Sequence, residues 1–189
     1  YEVGAEYGAL LQASRFPLPP IKPEQITFAA KCEKLVAQHA PELLDELAGM
    51  IAGSTYNADH LKALALTLNI PPACSVVAIA GQHTADGRPL FGRNHDWYAW
   101  YGRCAALLDV QIPGAFASIG GNDLFIGRHD GLNEAGLAIG ITDVSGGRHT
   151  PGVMFPLAVR HVLNTCRTTE QAAAYLEGIP YIRNTNFLI

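Results

Sequence analysis

Apolar side chains recur at helical spacing over the first third of the chain. Residues 28–39 form one such series, and residues 43–51 form a second that follows Pro41, a residue suited to the first turn of a helix. The apolar positions of the two series are Phe28, Cys32, Leu35, Val36, Leu43, Leu44, Leu47, Met50 and Ile51. A third, short helix is predicted over residues 60–68, with Asp59 as its cap.

The hydrophobic period changes at Cys74. Residues 74–81 and 89–96 have strand character on either side of a turn at Asp86-Gly87, a pattern that predicts a β-hairpin. Shorter apolar runs between glycine-rich turns indicate more strands, over residues 105–112, 115–120, 123–136 and 137–144.

Helical spacing returns over residues 155–166, and Thr168 with Gln171 forms a capping-box pair that opens a last helix, closed by Gly178. Helices, a strand-rich block, helices and a strand follow in that order, which predicts an α+β fold with helices packed on antiparallel sheet. Residues 187–189 resemble the middle of a strand, so we expect the sequence to be part of a longer precursor.

Composition and charge argue against nucleic-acid binding, a membrane span and a metal site. The 189 residues suit one domain, and a net charge of −4 without a basic run gives no support to nucleic-acid binding. No apolar stretch reaches the roughly 18–20 residues of a membrane span. The four cysteines are Cys32, Cys74, Cys104 and Cys166. Their scattered positions favour free thiols, a cytoplasmic location and no metal site, although four cysteines also allow two disulfides.

Cys74 is the candidate for chemistry. A free cysteine is usually a small buried hydrophobe, but a reactive one needs a base or a cation beside it. The return strand of the predicted hairpin ends in GRNHDW, which brings Arg93 and Asp96 to the same end as Cys74. Alternation places these two side chains on opposite faces, unless a bulge turns both toward Cys74. A hydrogen-bonded polar turn is the other interpretation of this segment.

The order of these motifs resembles a known family. A cysteine that opens an apolar strand, then GRNHDW, then GLNEAGLAIGIT, is similar to the N-terminal-nucleophile cysteine hydrolases. The most similar branches are the acyl-CoA:6-aminopenicillanate acyltransferase family and the choloylglycine (bile salt) hydrolases. The first fits better, because its precursors carry a helical pro-segment with stretches like GAEYG at residues 4–8 and APELLDELAGMIAGS at residues 40–54. The resemblance spans nearly the whole chain.

The resemblance implies a four-layer αββα fold and autocatalytic cleavage between Ala73 and Cys74. The products would be a helical pro-segment, residues 1–73, and a chain with the N-terminal part of the catalytic domain, residues 74–189. Arg93 and Asp96 match the arginine and aspartate of the family's R-x-x-D motif.

Two more motifs carry over by the same comparison. Asn133, Glu134 and Gly136 match the family's NExG turn, which is a structural marker. Bile salt hydrolases place an oxyanion-stabilising asparagine about where Thr142-Asp143 falls, and this sequence has no asparagine there. The acyltransferase branch tolerates a threonine, so Thr142 or a backbone N–H is the candidate for that role. The family's later catalytic asparagine would lie beyond Ile189.

The physical chemistry of the cysteine fits this mechanism. Pro71-Pro72 stiffen the approach, and attack by Cys74 Sγ on the Ala73 carbonyl followed by hydrolysis frees the α-amine of Cys74. A free α-amine has a pKa of about 7.7–8.0, which suits a general base at neutral pH. Asp96 would then orient the amine, while Arg93 favours the thiolate or contacts the substrate carbonyl.

Two other interpretations stay open: a thiol hydrolase with a Cys74–His95 dyad and no self-cleavage, and an inert domain of the same fold. Trp97 and Trp100 form either a wall of an acyl pocket or a plug in the core. The expected partners are a small N-acyl amide substrate, the chain's own cleaved N-terminal part and further copies of itself. No cofactor, nucleic acid or membrane is expected.

Overall fold

The structure is a computed structural model and describes residues 1–68, 73–96, 102, 105–122, 125–144 and 149–189. These residues form an α+β fold in which α-helices accompany two antiparallel sheets, as the sequence predicts. None of the helices within them combines the length and the hydropathy that a membrane crossing requires.

The N-terminal part is helical. Its helices are α1 (Glu2–Ala13), α2 (Pro23–His39), α3 (Glu42–Ala52) and α4 (Ala58–Thr67). Helices α2 and α3 confirm the predicted series, whereas α1 was not predicted. The cap assigned to Asp59 is wrong, because Asn57 adopts an extended conformation ahead of α4 and its side chain accepts a hydrogen bond from His60 N at 2.9 Å.

Glycines let α1 and α3 touch backbone to backbone. Gly4 and Gly8 of α1 lie against α3, and a Cβ added at Gly8 would overlap the carbonyl oxygen of Met50. Gly49 of α3 and Gly53, the residue directly after α3, meet the backbone of the opposite segment in the same way. The two helices therefore form a tight pair that admits no side chain at these four positions.

The hairpin consists of β1 (Ala73–Ile79) and β2 (Leu90–Asp96), paired antiparallel. Cys74 lies opposite His95 and Val76 lies opposite Arg93, which confirms the predicted pairing. The connection includes a short 3₁₀ turn, Gly81–His83, and turns back at Gly87, whose φ of +74° suits glycine.

A second, five-stranded sheet follows, with the strand order β3-β4-β5-β6-β7. Its strands are β3 (Ala106–Val110), β4 (Ser118–Asn122), β5 (Asp130–Asn133), β6 (Ala138–Asp143) and β7 (Thr185–Leu188). Between β6 and β7 run α5 (Phe155–Thr165) and α6 (Thr169–Gly178). The predicted cap of α6 is confirmed, since Thr168 Oγ1 accepts from Gln171 N at 3.3 Å.

The hairpin packs on one face of the five-stranded sheet and α5 packs on the other. On the hairpin side, Gly140 of β6 lies under the side chains of Phe91 and Val76. On the helix side, Gly131 of β5 lies against Leu163 of α5. The described residues thus stack as helix, sheet and hairpin, with the inner face of the hairpin packed on β6.

Two ion pairs tie the N-terminal helices to α5. Glu42 Oε1 lies 2.7 Å from His161 Nδ1, and Glu46 Oε2 lies 3.3 Å from Arg160 Nη2. Arg160 is fully buried and also donates from Nε to Asn164 Oδ1 at 2.9 Å. Burial raises the pKa of Glu42, but the hydrogen bond and charge of His161 outweigh it and hold the pKa below its ordinary value.

We expect Gly8→Ala to destabilise the protein by about 2 kcal/mol or more, because the added methyl group forces α1 away from α3. Urea unfolding followed by circular dichroism measures this loss. Gly178→Ala is the matched control, because a Cβ there meets no atom within 4 Å. Equal stability of the two variants would contradict the close helix contact.

We expect Glu42→Gln to reduce the acid sensitivity of folding. A carboxyl group whose pKa is lowered on folding stabilises the protein above its unfolded pKa of about 4.3, and this contribution disappears as the pH falls through the folded pKa. The free energy of unfolding should therefore fall less steeply from pH 5 to pH 3 in Glu42→Gln than in the wild type. Glu177→Gln, an exposed change on α6, should keep the wild-type slope.

Candidate active site

The Cys74 thiol lies on the inner face of the hairpin, at the second residue of β1. Arg93 Nη2 donates a hydrogen bond to Cys74 Sγ at 2.9 Å. The contact follows from the register, because Arg93 lies opposite Val76, two residues along from Cys74 and therefore on the same face. A cation thus contacts the sulfur directly.

The guanidinium of Arg93 is held on two further sides. Its Nε donates to the Ile141 carbonyl at 3.0 Å, and its Nη1 donates to Asp130 Oδ2 at 3.2 Å. Only 4% of the Arg93 side chain is exposed. Because the guanidinium is planar, these bonds fix the direction in which Nη2 points, which is toward Cys74.

Two opposing effects act on the thiol. Burial raises the pKa of Cys74 above its ordinary value, while the charge of Arg93 and the backbone N–H of Asp96 offset part of the rise. The net shift is upward, so Cys74 is mainly a neutral thiol near pH 7. In the intact chain the site therefore holds a nucleophile that still needs a base.

The bulge that would turn Asp96 toward Cys74 is not found in the described hairpin, where β1 and β2 pair without interruption. The Asp96 carboxylate accepts a hydrogen bond from Asn94 Nδ2 at 2.5 Å, in line with the alternation that places both residues on the outer face. Asp96 lies opposite Ala73, however, so it stands beside the peptide bond between Ala73 and Cys74.

His95 lies directly opposite Cys74 and shares its face of the hairpin. The His95 ring packs on His129, with 5.0 Å between the ring centroids. Both histidines, together with Arg93 and Asp130, line a cavity of about 290 Å³ between the hairpin and the sheet. The two imidazoles thus lie in the same layer as the thiol.

Thr142 is on β6, and the alternation of the strand directs it to the hairpin side of the sheet. Its hydroxyl accepts a hydrogen bond from Asn186 Nδ2 at 3.4 Å. The neighbouring Ile141 carbonyl is the group that holds Arg93 Nε. Thr142 is therefore adjacent in sequence to a group that contacts Arg93, while among the described hydrogen bonds none joins it to Cys74.

The NExG turn connects β5 to β6 and is organised by Asn133, which is buried. Asn133 Oδ1 accepts from Leu137 N at 3.0 Å and from Ala135 N at 3.1 Å. Its Nδ2 donates to the carbonyls of Leu163 at 3.1 Å and Cys166 at 2.8 Å. The side chain thereby holds the turn on the end of α5, which is a structural contact.

An apolar cleft of about 770 Å³ opens beside Arg93 and Asp130. The hairpin and the five-stranded sheet contribute its large apolar side chains, which are Ile79, Leu90, Phe91, Leu107, Ile119 and Leu132. The cleft is lined by Arg93, which also contacts the thiol, whereas Cys74 itself is not among the lining residues.

Several predicted positions fall outside the described residues: Pro71-Pro72, Trp97, Trp100 and Cys104. Cys32, Cys74 and Cys166 are free thiols, as expected. Among the described residues no group of three or more His, Cys, Asp and Glu side chains is arranged to hold a metal ion.

Asp130 is the site residue that sequence reasoning missed. It contacts Arg93 across 37 positions of the sequence, and no local pattern marks such a contact. The signal that could have found it is strand alternation. Asp130 is two residues before Leu132, so both lie on the face of the sheet that points away from the helices.

An α+β fold that holds a cysteine thiol against a buried arginine, beside an apolar cleft, is typical of enzymes that transfer or hydrolyse acyl groups through a thiol. The chain belongs to the acyl-coenzyme A:6-aminopenicillanic acid acyl-transferase family, whose model matches residues 83–189. The match includes Arg93, Asp96 and Thr142, while Cys74 precedes it. Family membership indicates an acyltransferase or a hydrolase. No curated protein matches the chain.

We expect Arg93→Met to slow the reaction of Cys74 with iodoacetamide at pH 8. Loss of the cation removes an effect that lowers the pKa of the thiol, so the thiolate fraction falls. Mass spectrometry of the Cys74 peptide follows the rate. Arg88→Met is the matched control, because the exposed Arg88 pairs with Asp86 in the hairpin connection. An unchanged rate in Arg93→Met would rule out the contribution of Arg93 to the thiol.

Proposed function

We propose that this chain belongs to a self-processing enzyme with an N-terminal cysteine nucleophile, acting on the carbon–nitrogen bond of small N-acyl amides. Residues 1–73 are the pro-segment, and residues 74–189 are the N-terminal part of the catalytic domain. The observation that carries the proposal is the hydrogen bond from Arg93 Nη2 to Cys74 Sγ at the start of a strand. Family membership supports the acyl chemistry.

The first step is cleavage of the chain. Cys74 Sγ attacks the carbonyl carbon of Ala73, the Ala73–Cys74 C–N bond breaks, and the thiol proton passes to the departing nitrogen. Water then hydrolyses the thioester: its oxygen bonds to the Ala73 carbonyl carbon, the C–S bond breaks, one proton returns to sulfur and the other passes to solvent, which leaves a carboxylate on Ala73. Asp96, which lies opposite Ala73 in the strand pairing, is proposed to bind the amine that this reaction frees.

Turnover follows from the freed amine. The ordinary pKa of an α-amine is about 7.7–8.0, so at a pH near this value the freed amine accepts the Cys74 proton. The resulting thiolate attacks the substrate carbonyl. The protonated amine then gives its proton to the leaving nitrogen of the substrate. Arg93, with Thr142 or backbone N–H groups, stabilises the negative oxygen of the tetrahedral intermediate. Water completes hydrolysis of the acyl-enzyme, and an acceptor amine completes acyl transfer.

The substrate we propose carries an apolar acyl group. The cleft beside Arg93 supports this, because its large side chains from the hairpin and the sheet are apolar. Trp97 and Trp100 remain proposed as acyl-pocket residues on the strength of their place directly after the motif.

We also propose the four-layer αββα architecture of N-terminal-nucleophile enzymes. The described residues supply helix, sheet and hairpin in that order, and the outer face of the hairpin exposes apolar side chains beside the polar Asn94 and Asp96. Val77 is 53% exposed and Leu90 is 55% exposed. An outer layer packed on these side chains would remove them from water.

The cleaved N-terminal chain is proposed to stay bound to the catalytic domain. Ion pairs from Glu42 to His161 and from Glu46 to Arg160 join the two parts, and Arg160 has no exposed surface. Separating the parts would leave Arg160 without its counterion, which opposes dissociation.

Free thiols at Cys32, Cys74 and Cys166 support a reducing, cytoplasmic location.

A second candidate is a thiol hydrolase that uses a Cys74–His95 dyad in the uncut chain. The register favours it, because His95 lies directly opposite Cys74 on the same face. In that case His95→Asn abolishes thiol reactivity and no self-cleavage occurs.

Intact-mass measurement of the freshly expressed protein, incubated at pH 7.5, tests the main proposal. We expect two fragments that meet at Ala73 and Cys74, and none from Cys74→Ala. Cys166→Ala removes another thiol as the control and should cleave like the wild type. A single uncut chain that loses thiol reactivity in His95→Asn would replace self-processing with the dyad.

A further inference from the structure

Asp130 occupies a position that the proposed reaction does not yet use. It is the first residue of β5, on the face of the sheet that meets the hairpin. Both carboxylate oxygens are engaged: Oδ2 lies 3.2 Å from Arg93 Nη1, and Oδ1 accepts from Gly121 N at 2.9 Å. A carboxylate held at both oxygens has a fixed direction, so it can in turn fix the group that it binds.

Gly121 leaves room for this arrangement. A Cβ at position 121 would stand 3.1 Å from Asp130 Oδ1, closer than side chains usually come. Glycine therefore lets the strand backbone donate to the carboxylate without pushing it away from Arg93. The hydrogen bond from Gly121 N therefore fixes one oxygen of the carboxylate, as Arg93 fixes the other.

Arg93 needs such an anchor, because its side chain is nearly buried and the thiol beside it is mainly neutral in the intact chain. The Ile141 carbonyl binds only Nε of Arg93. If Asp130 is removed, the other end of the guanidinium has no charged partner among the described residues. The remaining bond from Nη2 to Cys74 Sγ then no longer has a fixed direction.

We propose that Asp130 is the positioning residue of the site: its carboxylate, anchored on Gly121, aligns Arg93 so that Nη2 points at Cys74. Asp130 touches none of the reacting atoms and acts through Arg93. The inference rests on the proposed role of Cys74 as nucleophile, and it extends the site by one residue that lies outside the R-x-x-D motif.

The sign of the effect separates positioning from simple charge. As a negative charge near the thiol, Asp130 would disfavour the thiolate, and its removal would make Cys74 more reactive. As the residue that aligns Arg93, it favours the thiolate, and its removal makes Cys74 less reactive. Among the residues that the structure describes, the other charged or titratable groups near the thiol and Asp130 are His95, Asp96, Arg128 and His129, and none of them is changed in the test.

The test measures the alkylation rate of Cys74 by iodoacetamide from pH 6 to pH 10, with cleaved and uncleaved chains resolved by mass. We expect Asp130→Asn to react about tenfold more slowly than the wild type below the thiol pKa, as for loss of one charge-assisted hydrogen bond. Asp130→Glu, which keeps the charge, should recover part of the rate. Asp109→Asn, an exposed change on β3, is the control and should react like the wild type.

Two further variants keep the test decisive if Asp130→Asn folds poorly. Gly121→Ala crowds the carboxylate and should slow alkylation in the same direction. In an Arg93→Met background, Asp130→Asn should cause no further slowing, because the group it positions is gone. An Asp130→Asn rate equal to or above that of the wild type would overturn the inference while leaving Cys74 as nucleophile. A wild-type Cys74 that resists alkylation throughout the range would overturn both.

Discussion

The guanidinium of Arg93 joins the two sheets of this protein. A two-stranded hairpin is marginal by itself, so β1 and β2 depend on their packing against the five-stranded sheet. Arg93 crosses that interface and binds β6 through Ile141 and β5 through Asp130, with little exposure to water. The same group reaches the Cys74 sulfur. Docking of the hairpin and placement of the thiol are therefore one event, and a change that loosens the interface also displaces the thiol.

The balance between burial and charge gives the thiol two different states. In the intact chain, burial outweighs the attraction of Arg93 and the sulfur stays protonated. In the cleavage that we propose, the α-amine of Cys74 becomes free next to its own sulfur, with Asp96 alongside. The site would then acquire its base from the backbone at the moment when the pro-segment is cut. A raised thiol pKa in the precursor is thus compatible with a reactive mature enzyme.

Much of the fold is readable from short-range patterns. The periods of 3.6 and 2 locate α2, α3 and the hairpin, and the turn at Asp86-Gly87 places the end of β2 beside the start of β1. Hydrophobic periodicity does not predict helix α1, because its packing on α3 relies on glycines, which carry no hydrophobic signal. Nor does it predict the role of Asp130, because its contact is distant in sequence. The side-chain direction of Asp96 depends on whether β2 is regular, which only the pairing of the two strands decides.

The pair of ionic contacts between α3 and α5 also sets how these helices align along their axes. Glu42 and Glu46 are one helical turn apart, and they meet His161 and Arg160, which are neighbours in sequence. If the next residue of α3 took the place of each present one, the helix would move by about 1.5 Å along its axis and turn by about 100°. Both carboxylates would then point away from their partners. The next equivalent alignment lies about 5.4 Å away and matches one pair at most. The two contacts together therefore favour a single alignment of α3 along α5.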